Sequence, residues 1–331
     1  IELDGLGAPA PSQLDDLTLD DLATYDAVML FLERARHIDR QFALNRDNQA
    51  DVARVCALLQ GMPLAVELAA SWVRMLSPRE IVDEITGGID FLALSDRTMA
   101  ARHKSMRAVF DHSWALLPPE ERSALARLAI FRGGFDRTAA HSVAGTTLPL
   151  LAALVDKSLV QSSAMATGHD RSAHRYDLHE LLRQYLYDRL VAAGEEQIIG
   201  ARHAQYYAQL AEQSAPALML SENRRWVQRL EVDQGNLNAA LHWSLQQGHD
   251  PALGLRLAAG LGRFWYLAAQ WREGRTWLTL ALRQVALQQP DDPSYAHALA
   301  VARLAEICLS LSDLAESQRY FDQAIALNPQ F

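Results

Sequence analysis

The sequence predicts a mainly α protein: a helical bundle, then helices closed by a small β-hairpin, then a solenoid of paired helices. Three observations predict it. Apolar residues recur at i, i+3 and i+4 spacing through most of the chain, as Ala27, Leu30 and Phe31 do. Only two segments, 157–161 and 174–178, read as β-strands. Beyond Ala201 everything is helical, with breaks near 215–221, 247–251, 288–293 and Ser312 that cut it into pairs.

Residues 1–17 include Gly5-Leu6-Gly7-Ala8-Pro9-Ala10-Pro11 and read as an extended linker. Thr18-Leu19-Asp20-Asp21 is an N-cap followed by acidic first-turn residues, and opens a helix that carries on through Arg34. A second helix covers 49–59 and ends at Gly61. Pro63 opens a third through Arg74, placed where its missing N–H costs nothing. Ser77-Pro78-Arg79-Glu80 caps a short fourth, and the bundle spans 18–100. In 101–195, helices near 104–116, 119–130, 136–144 and 148–156 precede the strand 157–161. After the polar loop 162–173, the strand 174–178 leads into a helix starting near His179; helices followed by a two-stranded hairpin make a winged helix.

Residues 196–331 read as repeats. With Pro329 at the last marked position of a tetratricopeptide-like unit of about 34 residues, Phe321 and Ala324 take its aromatic and small positions, and Leu304-Ala305 fall in its first helix. Leu261-Gly262, Trp265, Gly274, Leu278 and Ala281 fall on equivalent positions one unit earlier, irregularly, offset by 43 residues because 284–295 adds a loop of Gln, Pro and Asp. Trp226, Trp243, Trp265, Trp271 and Trp277 are expected as core or interface residues between stacked helices.

Composition excludes several classes. The chain has 331 residues, 50% of them hydrophobic, and a net charge of −9. Much of that charge sits in residues 1–102, where 9 Lys+Arg face 17 Asp+Glu; residues 103–190 carry 11 against 9, without the basic excess of a dedicated nucleic-acid binder. Cys56 and Cys308 lack metal-ligand or disulfide spacing, and no apolar run reaches membrane-spanning length, so a cytoplasmic location and no membrane partner are expected. The first residue is Ile1 rather than Met, and the end at Phe331 has no polar capping helix; truncation at both ends is the expectation.

With the elements in this order, particular strings become recognisable. Gly61-Met62-Pro63-Leu64-Ala65, followed by Glu67-Leu68-Ala69-Ala70, resembles the GxPLA motif of the NB-ARC/STAND signal-transduction ATPases. The strings Ser113-Trp114-Ala115-Leu116-Leu117, 128–135 and 154–160 are similar to that family's winged helix. Tyr176-Asp177-Leu178-His179-Glu180 resembles its Met-His-Asp motif, with Leu178 for Met and Glu180 for Asp. Asn236-Leu237-Asn238-Ala239-Ala240-Leu241-His242-Trp243 is similar to a string in bacterial regulators that join this module to tetratricopeptide repeats.

The resemblance implies that ADP lies between an upstream nucleotide-binding domain and this chain. Pro63, with Gly61 and Leu64 as motif neighbours, would set its ring against adenine, and His179 would hydrogen-bond the terminal phosphate. A helix start, with its free N–H groups and dipole, suits an anion independently of the resemblance. On spacing alone, Gly61-Met62-Pro63 also reads as a turn between helices and His179 as a cap or surface residue. The function implied is the regulatory and sensor portion of a nucleotide-dependent switch, a transcriptional regulator, with a protein, peptide or small-molecule ligand on the repeats and self-association on activation. The alternatives are a non-catalytic tetratricopeptide scaffold and a winged-helix DNA reader.

The chain itself is not expected to be an enzyme, nor to hold ADP or ATP without that domain. Its two lysines, Lys104 and Lys157, lack the glycines of a phosphate-binding loop, and no apolar strand ends in an Asp suited to Mg²⁺. His179-Glu180 lacks the second His of a zinc-protease motif. His169 and His174 flank the polar loop at a spacing that suits metal, though a wing tip explains them; Asp15-Asp16 and Asp20-Asp21 answer a helix dipole. Helix 148–156, almost wholly apolar or acidic, lacks base-reading side chains, which leaves Arg171 and Arg175 of the wing as phosphate contacts for any DNA.

Overall fold

The computed structural model describes residues 6–10, 17–87, 106–164, 174–220, 223–288 and 294–328. Asp15, Asp16, Lys104, His169, Arg171 and Pro329 lie outside the described residues. The chain is mainly α and forms two compact units, Ile1–Ala129 with Ala152–Gln161 and Leu178–Ala192, and Ile130–Leu151 with Ser162–Asp177 and Ala193–Phe331.

The first unit opens with α1 (Leu19–Leu22) and α2 (Asp26–Ile38). Thr18 and Asp21 form the expected reciprocal cap, but the single helix expected from Thr18 is two. The Thr24 hydroxyl donates to the Asp21 carbonyl at 2.6 Å and closes α1 after one turn. Helices α3 (Gln49–Leu58) and α4 (Pro63–Ala70) follow; α4 stops short of Arg74 because its exit tightens into three-residue turns, Trp72 N–H to Ala69 at 3.1 Å and Val73 N–H to Ala70 at 3.3 Å. Ser77 and Glu80 cap α5 (Pro78–Gly87) as their spacing predicts. Helix α2 buries Ala27, Val28, Phe31, Leu32 and Ala35, packs on α4, and is tied to it by Arg34–Glu67 at 2.8 Å.

Helices α6 (Met106–Leu116), α7 (Pro119–Leu128) and α10 (Glu180–Ala192) complete this unit. The Tyr185 hydroxyl donates to Asp111 at 2.7 Å, Arg189 pairs with the same carboxylate, and Arg107 pairs with Asp188 at 2.7 Å, so α6 and α10 are bound by charge as well as by the Phe110–Tyr185 ring contact.

The second unit carries a sheet of three strands rather than the two-stranded hairpin expected. Strand β1 (Phe135–Asp136) pairs antiparallel with β3 (His174–Asp177), Phe135 opposite Tyr176, and β2 (Gln161–Ala164) lies on the other side of β3. A two-residue strand has no period to read. The strand expected at 157–161 begins only at Gln161. The preceding residues close α9 (Leu148–Asp156): Ser158 has φ +56°, and the N–H groups of Leu159 and Val160 both reach the Leu154 carbonyl, at 3.0 and 3.3 Å. Helix α8 (Arg137–Ala144) is capped by Asp136 and packs on α11 (Glu196–Ala217).

After α11 come α12 (Asn223–Val232) and α13 (Gln234–Leu241), which runs into a wide π-turn over His242–Gln246. Gln247 N–H there bonds the His242 carbonyl, five residues back, at 3.0 Å. The repeats are α14 (Pro251–Leu267), α15 (Trp271–Gln288), α16 (Tyr295–Ser310) and α17 (Leu314–Leu327), with α14 against α15 and α16, and α16 against α17. Small residues mark where helices meet: a Cβ on Gly262 would stand 2.5 Å from the Arg303 side chain, and one on Gly274 2.7 Å from Ile307 and 2.9 Å from Trp265. Trp265, Leu278, Ala281, Leu304, Ala305 and Ala324 are buried at their register positions, whereas Phe321, at the aromatic position, is only partly buried. Of the five tryptophans expected between helices, Trp265 is fully buried and the others partly so.

Candidate functional site

The site is built on a tight turn between α3 and α4. Gln60 and Gly61 both take positive φ, +47° and +67°, and the Met62 N–H closes the turn on the Leu59 carbonyl at 2.9 Å. Two features demand glycine at 61. Its φ lies in the left-handed region, and a Cβ there would stand 1.9 Å from the Leu6 carbonyl oxygen. Leu6 is close because its N–H donates to the Gly61 carbonyl at 2.9 Å, while the Ala27 N–H donates to Gly7 at 3.0 Å. The described part of the sequence-predicted linker is therefore packed, with Pro9 buried.

His179 meets the same turn from the far side of the sequence. It sits between β3 and α10, and its Nδ1 accepts the Leu181 N–H at 3.3 Å, making it the cap of that helix. With Nδ1 an acceptor, the ring proton is on Nε2, which lies 3.1 Å from the Leu59 carbonyl. That carbonyl thus takes two donors, Met62 N–H and His179 Nε2–H. Burial lowers the His179 pKa below the ordinary imidazole value, partly offset by the Leu59 bond, and keeps the ring neutral. Glu180 is turned to its own helix, bonding Arg183 and Gln184.

The two residues singled out from sequence are thereby brought to one turn, His179 on its first carbonyl and Pro63 one residue past its end. Pro63 occupies the first position of α4 with its ring exposed, and Leu64 is half-buried. The ring lines a groove of about 640 Å³ whose wall includes Leu6, Met29, Asp26, Glu33, Glu67 and Arg36. Its charged lining is Asp26, Glu33 and Glu67 against Arg36, with Glu67 also paired to Arg34 at 2.8 Å, which leaves a small acidic excess beside the apolar Leu6, Met29 and Leu30. Leu6 was missed because a Gly/Pro-rich stretch carries no periodic signal.

A second polar centre lies in the second unit. Arg175 is only 12% exposed. Its guanidinium donates to Asp233 at 3.0 Å and to the carbonyls of Gly133, Gly134 and Val232 at 2.7, 3.1 and 3.0 Å. On the sequence Arg175 could touch phosphate only within the DNA-reading alternative, where two arginines give little affinity; the structure uses it internally. Asn236, from the string noted in sequence, accepts the Arg132 N–H at 2.7 Å and donates to Gly134 at 2.8 Å. His203 lies 3.3 Å from the same Asn236 oxygen, and burial pushes its pKa down to about 4. Among the described residues no group of three or more His, Cys, Asp or Glu could hold a metal ion, and no single helix is long and apolar enough to cross a membrane.

No family model matches the chain. It is 38% identical over 267 residues to candidate HTH-type transcriptional regulators of Mycobacterium tuberculosis and Mycobacterium bovis, a stretch that covers 78% of this chain and 29% of those proteins. It is 34% identical over 194 residues to an uncharacterized protein of Mycobacterium tuberculosis, covering 56% of this chain and 48% of that one. The crystal structure of a STAND protein with a tetratricopeptide repeat sensor from Pyrococcus horikoshii overlaps 92% of this chain and 54% of its own, at 14% identity and a TM-score of 0.27, too low for anything to rest on it. The chain thus spans less than a third of the length of the mycobacterial regulators it resembles in sequence.

Proposed function

We propose that this chain is the regulatory and sensor portion of a nucleotide-dependent switch in a transcriptional regulator, with Pro63 and His179 reporting on ADP held by an upstream nucleotide-binding domain. The observation that carries the reading is the convergence of His179 on the Leu59 carbonyl, at the turn that sets Pro63. Two segments 120 residues apart in sequence meet there. A device that reads a nucleotide from two sides needs such a junction.

The groove charge supports a division of labour, a neutral base on the Pro63 ring and phosphate toward the N-terminus of α10, where free N–H groups favour an anion. Both ring nitrogens of His179 are occupied, so Nε2–H would reach a phosphate only by leaving Leu59. The Leu59 carbonyl would keep its Met62 donor, which makes that exchange tolerable. The names of the mycobacterial relatives favour a regulatory output. The internal use of Arg175 weighs against DNA reading by the sheet.

The test is His179→Ala in the complete protein, with bound nucleotide measured after purification. Loss of retained ADP is expected; retention equal to the parent protein would refute the phosphate role.

A further inference from the structure

Residues 6–9 are bound to the helical bundle much as a short peptide would be. The Leu6 N–H donates to the Gly61 carbonyl at 2.9 Å, and the Gly7 carbonyl accepts the Ala27 N–H at 3.0 Å. Helix α2 has no side-chain cap, so Gly7 satisfies a first-turn N–H that the helix's own flank leaves open. Pro9 is buried, and Leu6 forms part of the wall of the Pro63 groove. Two backbone hydrogen bonds and one buried ring seat the segment, yet they are few enough for it to lift without unfolding the bundle.

The seat matters because of the turn it rests on. Gln60 and Gly61 hold φ of +47° and +67°, and for Gln60, which carries a Cβ, that conformation is uncommon and strained. A strained residue stays in place only while its surroundings hold it. Without Leu6, the turn is closed by the Met62 N–H bond to Leu59, 2.9 Å, and a long Gly61 N–H bond to Cys56, 3.4 Å. The peptide plane between Leu59 and Gln60 rotates with the Gln60 φ. That plane carries the Leu59 carbonyl, which accepts His179 Nε2–H at 3.1 Å. Leu6, Gly61, Gln60, Leu59 and His179 therefore form one continuous series of bonded groups.

We propose that residues 6–9 are a strap that sets the state of this turn. Seated, the strap holds Gln60 left-handed and keeps His179 on Leu59. Lifted, it lets Gln60 relax, turns the Leu59 carbonyl away and frees the imidazole Nε2–H for a phosphate. A pull on the chain ahead of Leu6 is thereby transmitted to His179. The inference rests on the nucleotide reading for what His179 is freed to hold; the coupling of strap to imidazole rests on the geometry alone.

The experiment follows the His179 Nε2–H signal by NMR in the full 331-residue chain with ¹⁵N-labelled histidine, the signal being assigned by its loss in His179→Gln. Two variants lift the strap: Pro9→Asp puts a charge where the ring is buried, and Leu6→Pro removes the donor to Gly61. Each should speed exchange of the His179 Nε2 proton with water by about 10-fold or more. His203, whose Nε2 lies 3.3 Å from the Asn236 side-chain oxygen in the second unit, is the internal control and should not change. In a Gln60→Gly background no strain waits to be relieved, so the same two changes should speed the exchange by less than about 3-fold. Unchanged His179 exchange in both variants would overturn the proposal. So would equal acceleration at His203, which would make the segment a general stabiliser, or equal acceleration in the Gln60→Gly background, which would take the strained turn out of the coupling. In the complete protein the two variants should release ADP about 5-fold more slowly. Unchanged release alongside faster His179 exchange would leave the strap standing and refute the phosphate role of His179.

Discussion

Gly61→Ala should damage the turn beneath both Pro63 and His179, and the damage can be divided into two parts. The first is backbone strain: a non-glycine residue at φ +67° costs about 1–2 kcal/mol. The second is collision. The new Cβ would stand 1.9 Å from the Leu6 carbonyl oxygen, a backbone atom, so residues 6–10 must lift away and the Leu6 N–H to Gly61 bond is lost. Losing that bond adds about 1 kcal/mol, and exposing Pro9 adds to it. The total is roughly 2–4 kcal/mol. Hydrogen exchange over α3 and α4 would read the loss where it occurs. A second background, with residues 1–10 removed, separates the parts. There the collision partner is gone, and the substitution should cost only the strain, about 1–2 kcal/mol. Equal costs in the two backgrounds would show that Leu6 does not seat on the turn and would refute the packing described for it.

Two further outcomes concern the second unit. His203 has its pKa pushed down to about 4, so the unfolded chain takes up a proton on acidification before the native state does. Stability should therefore fall as pH drops below the ordinary imidazole range, by about 2 kcal/mol between pH 7.5 and 5; urea titrations across that range on the parent and on His203→Gln should converge at low pH, and parallel curves would contradict the buried neutral ring. Asp233→Ala leaves Arg175 largely buried without its carboxylate, which should cost about 3–5 kcal/mol. A loss below 1 kcal/mol in thermal unfolding would mean that the carbonyls of Gly133, Gly134 and Val232 satisfy the guanidinium alone.

The parts of the fold that were legible in sequence were those with a local cause. The Thr18–Asp21 and Ser77–Glu80 caps, the Pro63 start and the small residues of the repeats each declare themselves within a few positions. The misses had causes elsewhere. The end of α4 is set by a tightening exit that a helix-permissive stretch does not announce, and β1 exists because β3 pairs with it. At the site, Gly61 and His179 were visible as a turn and a cap, and both of those plainer readings hold in the structure. Their meeting at one carbonyl depends on contacts between segments 120 residues apart, which spacing does not encode. Arg175 shows the same limit: a hairpin arginine looks solvent-facing until Asp233, 58 residues later, is placed beside it.

The wide turn at 242–246 constrains how such sequences can drift. It holds one residue more per turn than an α-helix, and Asp250, which caps α14 through the Leu253 N–H at 2.9 Å, follows directly. Deleting one residue here would close the turn to ordinary helical pitch and rotate all that follows by about 100° about the axis. Leu245 would swing off Gly254, and Trp243 off Gly200, where no side chain larger than hydrogen fits against the indole. Among descendants of this chain, a gap inside that stretch should survive only with a compensating insertion before Asp250.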